Sequence, residues 1–507
     1  MNITTDVLII GAGGAGLVAA LNAKENGSDV IVLSKEYPTR SQTCMAQGGI
    51  NAPLANVSED SVEAHIKNTL KSAHGEADEK AIEFMCSEAI NAVEWLDEIG
   101  VCFSRTKDGK IAQRRLGGAS APRACYAQDY TGLKILHTLY DRCLAQDIDM
   151  RNEKYLLELI KDTNGVRGAK VLDIRSGEVE IYLAKAVILA GGGYSRIYDK
   201  NSTNSTASTG DAIAVASRVG AKLLGMEFVQ FHPTALKNSS ILIGESARGE
   251  GGYLLNSKGE RFTDELLPRD EVSRAIDAEI KKGEDIFLDI RHLGEEFIDE
   301  GLPQERKLAK LYENIDPVYD LMPIKPVAHY TMGGIEVDNK SQTNIAGLFA
   351  CGECANHKVH GGNRLGGNSL LEIVVFGKEA GKYASEYAKT AKIDSISEDD
   401  KTVEILQKIK EYKNEINFYD KKTELGDMFY KNVGIVRDKA SLLKAKDEVL
   451  KMIDELKLMG VSDSSKVYNT NLVEFLEFQN MLDVALEVVS SALKRDKSCG
   501  AHYMVEN

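Results

Sequence analysis

Residues 245–252, Glu-Ser-Ala-Arg-Gly-Glu-Gly-Gly, set Glu245 and Arg248 in a glycine-marked turn, and Arg269 follows Arg248 by twenty-one residues in a Pro-Arg-Asp triplet. His232 stands in Phe-His-Pro-Thr, His329 in Ala-His-Tyr-Thr-Met-Gly-Gly, and Arg364 ends His-Gly-Gly-Asn-Arg. Two imidazoles and three guanidiniums, spread over about 130 residues and each beside a Gly or Pro, suit a small dianion. Cationic and donor groups converging from separate loops can clamp two carboxylates and leave one group to deliver a proton. The plain alternative, that each pairs with an ordinary surface carboxylate, is natural for one such residue and strained for five.

These loops need a scaffold and a redox cofactor, and the amino-terminal segment offers both. Residues 6–10 read as a buried strand, Gly11-Ala-Gly13-Gly14-Ala15-Gly16 as a turn opening a helix to about residue 26, and residues 29–33 as a second strand. In a strand–GxGxxG–helix–strand unit the glycines permit a tight turn, close approach of a pyrophosphate and helix-on-sheet packing, with the helix amino terminus facing the phosphates. The acidic residue expected at the tip of the second strand is absent. Ser34 and Lys35 occupy the tip and Glu36 lies two beyond, which leaves the ribose contact open. Joined, the two patterns point to flavin-dependent reduction of a dicarboxylate.

Further along, the pattern predicts a helical stretch over residues 61–99, a glycine loop at Gly117-Gly118 and strands over 170–174, 178–184 and 186–190. Thr209-Gly-Asp211 opens another helix. From 226 to 323 short strands, loops and charged helices carry the Arg/His motifs at their edges, as an inserted substrate domain would. The first pattern resumes at 343–353, a strand ending in Gly-Glu353, and 363–372 leads into a helix. From about 393 the chain is Lys/Glu-rich, with helical periodicity over 403–417, 439–458 and 471–493.

At 507 residues, 43% hydrophobic and 27% charged, the chain can bury several cores. A net charge of −15 speaks against nucleic acid, which needs a positive footprint, but not against an anionic substrate held by a local field. No apolar run approaches the roughly 20 residues of a bilayer span. The start, Met-Asn-Ile-Thr-Thr-Asp-Val, lacks a basic n-region and an apolar h-region. The expectation is a cytoplasmic protein, with any membrane attachment made through a partner. Of eight cysteines, Cys351 and Cys354 form a CxxC. It ends an apolar strand and has no second CxxC, so it reads as buried thiols, and neither a metal site nor an iron–sulfur cluster is expected in this chain.

The chain resembles the flavoprotein subunits of the fumarate reductase/succinate dehydrogenase family. The motifs that carry this are TRSQTCMAQGG (39–49), RRLGGAS (114–120), AQDYTG (127–132), TGDA (209–212), FHPTAL (231–236), ESARGEGG (245–252), PRDEVSRA (268–275), AHYTMGG (328–334) and HGGNRLGGNSLLE (360–372). The resemblance implies an α/β fold: a Rossmann-like FAD-binding domain (1–225 and 326–390) interrupted by an α+β capping domain (226–325), then a helical domain (391–507). It implies that His232, His329 and Arg364 hold the carboxylates of fumarate. Arg269 donates the proton, resupplied through Arg248 and Glu245. Gly11, Gly13, Gly14, Ala15, Gly16, Ser34, Lys35, Ser41, Thr43, Asp211, Glu353, Asn368, Ser369 and Leu370 lie along FAD, and Gly48 and Gly49 let the backbone approach its ring. Arg and His would stabilise the negative charge that develops as the double bond accepts a hydride, each donor contributing ~3–4 kcal/mol by analogy with oxyanion holes. It further implies an iron–sulfur subunit as electron source, often with a membrane anchor, which would put the chain on the inner face of the cell membrane.

Three positions depart from the family pattern. Succinate-oxidising members tie FAD covalently to a His in an RSHT motif, whereas here Gln42 holds that place in RSQT, so FAD is expected without a covalent link and at a lower potential, favouring the reductive direction. Gly244 precedes the relay Glu where a Thr is common, so one substrate hydrogen bond is missing or replaced. Ser-Cys499-Gly-Ala-His502 replaces an SRGAH-like motif and lies close to the end of the sequence. Two rival readings fit parts of the pattern. L-Aspartate oxidase, a relative with non-covalent FAD, suits Gln42 and Ala235 but not the NRLGGNS form at 363–369 or the 121–126 loop. A non-catalytic flavin-binding or electron-relay subunit would be expected to lack the proton donor, and Arg269, Arg248 and Glu245 are all present.

Overall fold

The computed structural model describes residues 2–393 and 401–506; residues 394–400, within the expected helical domain, lie outside the described residues. Its centre is a seven-stranded sheet. Strand Asn2–Ile10 pairs in parallel with Val30–Ser34 on one side and Val179–Leu189 on the other. Asp149–Asn152 adds in parallel beyond Val30–Ser34, while Gly165–Asp173 and Lys154–Asp162 add antiparallel beyond Val179–Leu189. Leu348–Ala350 returns from far along the chain to pair in parallel with Val187–Leu189. The run Val-Ile-Val-Leu is apolar on both faces because both faces are covered. Helices Gly14–Glu25 and Asn368–Ala388 pack together on one face.

The residues predicted as two strands, 178–184 and 186–190, form the single strand Val179–Leu189. Lys185 does not interrupt it, because its amine reaches out to Asp6 at 2.6 Å. The helical stretch predicted over 61–99 is three helices, Val62–Ser72, Glu79–Ser87 and Ala89–Glu98. Between the first two, His74 and Gly75 take positive φ, a conformation that a helix does not accept.

A four-stranded antiparallel sheet, in the order Val229–Leu236, Met322–Thr331, Ile286–Asp289, Tyr253–Leu255, forms the capping domain with helices Arg269–Lys281, Glu295–Gly301 and Pro303–Glu313. It has its own core, which includes Leu236, Leu254, Val272, Ile276, Leu288, Ile298 and Met322. The helices Lys401–Lys410, Phe418–Asn432, Lys439–Glu455 and Thr470–Lys494 follow. Their apolar faces merge with the sheet's far side in one cluster that includes Val187, Phe429, Val449, Phe475 and Phe478. The helix predicted over 403–417 ends at Lys410, and Phe418–Asn432 is a helix that periodicity did not predict. Asn414 turns left-handed at φ 52°, and Asn417 caps the next helix by accepting from the Tyr419 amide at 3.0 Å.

Candidate active site

Where strand Asn2–Ile10 ends, Gly11 turns the chain with φ +114°, and a Cβ there would lie 2.2 Å from the Ala190 carbonyl oxygen. Only glycine is compatible with that turn. The helix it opens has no side-chain cap and no acidic residue in its first turn. Its amino-terminal N–H groups and dipole are therefore available to a pyrophosphate, with Thr43 Oγ1 accepting from the Gly14 amide at 3.1 Å.

From this turn a continuous cleft runs to the Arg/His cluster. Gly11, Gly13, Gly14, Ala15, Ser34, Lys35, Ser41, Gln42, Thr43, Gly48, Gly49, Asp211, Glu353, Ser369 and Leu370 line it, and so do His232, Glu245, His329, Arg269 and Arg364. Three expected residues sit behind the wall. Gly16 packs under the turn, Arg248 stands behind Glu245, and Asn368 is buried, taking hydrogen bonds from Asn51 (2.7 Å) and pairing with His65 (2.9 Å).

Two lining residues have their charges already committed. Lys35 Nζ reaches Asp211 at 2.7 Å and Glu477 at 2.6 Å, and Asp211 also accepts from Tyr155 and Asn480. Burial works against the Lys35 charge, yet the two carboxylates hold its pKa above the ordinary range. Burial pushes Glu477 up, whereas Lys35 keeps Asp211 below its usual value despite burial. One cation thus serves two carboxylates, favouring Asp211. Lys35 and Asp211 build this end of the cleft and tie it to helix Thr470–Lys494.

The other end is assembled from five segments. Strand Val229–Leu236 carries His232, strand Met322–Thr331 carries His329, and helix Arg269–Lys281 begins with Arg269. The short helix Glu245–Gly249 supplies Glu245 and Arg248, and the turn before Asn368–Ala388 supplies Arg364. The imidazole centroids lie 4.9 Å apart. His232 Nδ1 lies 3.2 Å from both the amide nitrogen and the carbonyl oxygen of Thr234, which fixes the orientation of the ring. Thr203 Oγ1 bonds His329 Nδ1 at 2.7 Å. Burial, then the charge of Arg269, pushes both imidazoles far below their usual pKa. Both rings therefore favour the uncharged form, which suits them to the hydrogen-bonding part of the clamp and leaves the positive charge to the guanidiniums.

Glu245 Oε2 accepts from Arg269 Nη2 at 2.7 Å and Nε at 3.1 Å, while Oε1 faces Arg248 Nη2 at 3.4 Å and takes the Gly117 amide at 3.1 Å. Against the cost of burial, Arg269 and Arg248 hold the Glu245 carboxylate below its ordinary range. Burial, with Arg269 nearby, pushes Arg364 down to about 10. Arg364 stacks over Tyr330 at 4.2 Å, and Tyr330 donates to Glu372 at 2.6 Å.

Gln230 went unnoticed in the sequence, and it is the hub of this end. Its Oε1 accepts from Arg269 Nη1 and Arg364 Nη2, both at 3.0 Å, while its amide donates to Asn363 Oδ1 and the Arg364 carbonyl. Thr203 was missed as well. Neither lies in a motif with a chemical signature.

Two guanidiniums thus hold Glu245, a third, Arg364, shares Gln230 with Arg269, and Glu353 nearby is pushed up to about 7 by burial. Arg248 Nε and Arg364 Nε are buried without a hydrogen-bond partner. Buried positive charge in excess of its partners calls for an anion.

An FAD-binding domain model matches residues 6–370, and a model of the fumarate reductase flavoprotein C-terminal region matches residues 422–507. The chain is 37% identical to the fumarate reductase flavoprotein subunit of Haemophilus influenzae, over 99% of this chain and 89% of that one. It is 39% identical to the succinate dehydrogenase flavoprotein subunit of Rickettsia bellii, over 98% and 89%. A solved quinol fumarate reductase of E. coli superposes with a TM-score of 0.95 at 35% identity, covering 100% of this chain and 92% of that one. A glycine turn for FAD at one end of the cleft, a cationic trap at the other and near full-length likeness agree: this chain belongs to the fumarate reductase/succinate dehydrogenase flavoprotein subunit family.

Proposed function

We propose that the chain is the catalytic flavoprotein of a fumarate reductase/succinate dehydrogenase-type complex and reduces fumarate to succinate. One observation carries this: Arg269, Arg364, His232, His329 and Glu245 line the same cleft as the glycine turn. The residues fit FAD, which supplies the hydride when bound along Gly11–Ala15, Ser34, Ser41, Thr43 and Ser369–Leu370. Arg364, His232 and His329 hold the two carboxylates and draw negative charge toward them. Arg269 gives a proton from its guanidinium to the neighbouring carbon, and Glu245 Oε2, 2.7 Å away, returns one taken through Arg248. Gln230 keeps Arg269 and Arg364 apart in fixed orientations.

FAD is held without a covalent bond. Gln42 lines the cleft with a carboxamide whose Oε1 accepts from the Ser205 amide at 2.7 Å, and a carboxamide offers no nucleophilic nitrogen. The reductive direction follows from the lower flavin potential expected without that bond. An iron–sulfur subunit, with a membrane anchor behind it, is the partner the family suggests, placing the chain on the inner membrane face. No helix among the described residues is long and apolar enough to cross a membrane.

The purified protein should oxidise reduced viologen only when fumarate is present, and acid precipitation should leave all yellow colour in the supernatant. Peroxide formation with L-aspartate in place of that activity would transfer the assignment to the oxidase, and a flavin that stays with the pellet would remove the non-covalent claim.

A further inference from the structure

Glu305 is fully buried beside the substrate end of the cleft and has no part in the chemistry above. It lies in the first turn of helix Pro303–Glu313, part of the capping domain. Asp129, fully buried in the FAD-binding domain, caps that helix from the opposite wall: its Oδ2 accepts from the Gln304 amide at 2.7 Å and the Glu305 amide at 3.1 Å. Ser246, next in sequence to Glu245, donates to Glu305 Oε1 at 2.8 Å. The second oxygens, Asp129 Oδ1 and Glu305 Oε2, are buried and have no donor. Two carboxyls within hydrogen-bond reach, each with an oxygen left unserved, are satisfied by one shared proton.

The pair also explains Gly244. A Cβ there would lie 2.8 Å from Glu305 Oε1 and 2.7 Å from Gln47 Oε1, so Glu305 fills part of the space a threonine would take in the cleft wall.

We infer that Glu305 is a positioning residue: a proton shared with Asp129 latches the capping domain onto the FAD-binding domain, and its loss loosens the grip on the dicarboxylate. The latch rests on the proposed function for its substrate, but not for its geometry. Burial first, then Asp129, pushes the Glu305 carboxyl well above the ordinary range. Arg114 is the cation facing the pair; it stacks over Tyr126 at 3.7 Å and also feels Glu250. Tyr130 faces the pair from the Asp129 side, and Ser246 and Gln47 are neutral. Arg306, next along the helix, turns outward to Asp316, Asp299 and Glu295. Because the closed form holds the proton, closure is fully present below the ordinary carboxyl value of 4.5 and is lost as pH rises through the raised one.

The test uses the FAD-loaded chain and its Glu305→Gln variant, whose carboxamide donates to Asp129 and accepts from Ser246 at every pH. The KM for fumarate of the unaltered protein should rise severalfold with alkaline pH, while that of Glu305→Gln stays level. Parallel KM profiles would overturn the latch. Hydrogen exchange at the Gln304 and Glu305 amides, measured without substrate, gives a second reading. Their protection, corrected for intrinsic rates, should fall with rising pH in the unaltered protein. Unchanging protection there sinks the latch even if the variant fails to fold. Falling protection in a protein that does not reduce fumarate keeps the latch and removes the proposed substrate.

Discussion

The two ends of the cleft are built by opposite means. At the dinucleotide end the working groups are main-chain amides and small neutral side chains such as Thr43, and the charged Lys35 and Asp211 are already paired with one another. At the dicarboxylate end the working groups are side chains from five segments, and their charges do not balance. A cofactor that stays bound is well served by main-chain donors beside charged side chains that are already paired. A substrate that must come and go is drawn by a surface left electrically incomplete.

Arg269→Ala is the severest trial of this contrast. It should lower kcat by about 10⁴-fold, the upper range for a general acid, with flavin absorbance and FAD affinity unchanged. Comparable loss of FAD would show that the two ends are not separate. Lys35→Met comes next: it strands Asp211 and Glu477, and chemical denaturation should report about 3–5 kcal/mol of lost stability, as for a broken buried ion pair. A stability change within error would mean those carboxylates carry no charge to strand. The smallest effect concerns Glu353, at the junction of the two ends, pushed up to about 7 by burial although it takes the Thr331 amide and hydroxyl. A raised carboxyl value gives stability that is present below 4.5 and lost as pH rises through about 7. The flavin-free protein should therefore lose about 1–2 kcal/mol across that window, discounted for partial exposure, and Glu353→Gln should flatten the loss.

The contrast also explains what could be read in advance. The glycine turn was legible because its chemistry is local: Gly11 and the two strands beside it sit within some thirty residues. His232, His329, Arg269 and Arg364 were picked out because each stands near a Gly or Pro in a distinctive short motif, although His232 and His329 lie in strands and Arg269 opens a helix. Gln230 was not, since a glutamine in an apolar strand has no distinguishing mark until two guanidiniums arrive from 39 and 134 residues away. The neutrality of both histidines was equally hidden, because it depends on burial and on Arg269. Gly244 stood out only as an omission, and its reason, Glu305, lies on a helix some sixty residues on. Helix Phe418–Asn432 was overlooked because the break that defines it is set by Asn414 and Asn417, inside what read as one continuous polar helix.

Strand Val179–Leu189 has a consequence for biosynthesis. Its carboxyl-terminal half waits for Leu348–Ala350, and everything between, the whole capping domain included, must leave the ribosome first. At roughly 5–20 residues per second, some 160 intervening residues leave Val187–Leu189 as an open template for about 8–30 seconds. Such long-range pairing is slow to form even once the chain is complete. A translational pause or truncation in that interval should therefore send the nascent polypeptide toward chaperones or into aggregates, although every residue of the glycine turn has already been made.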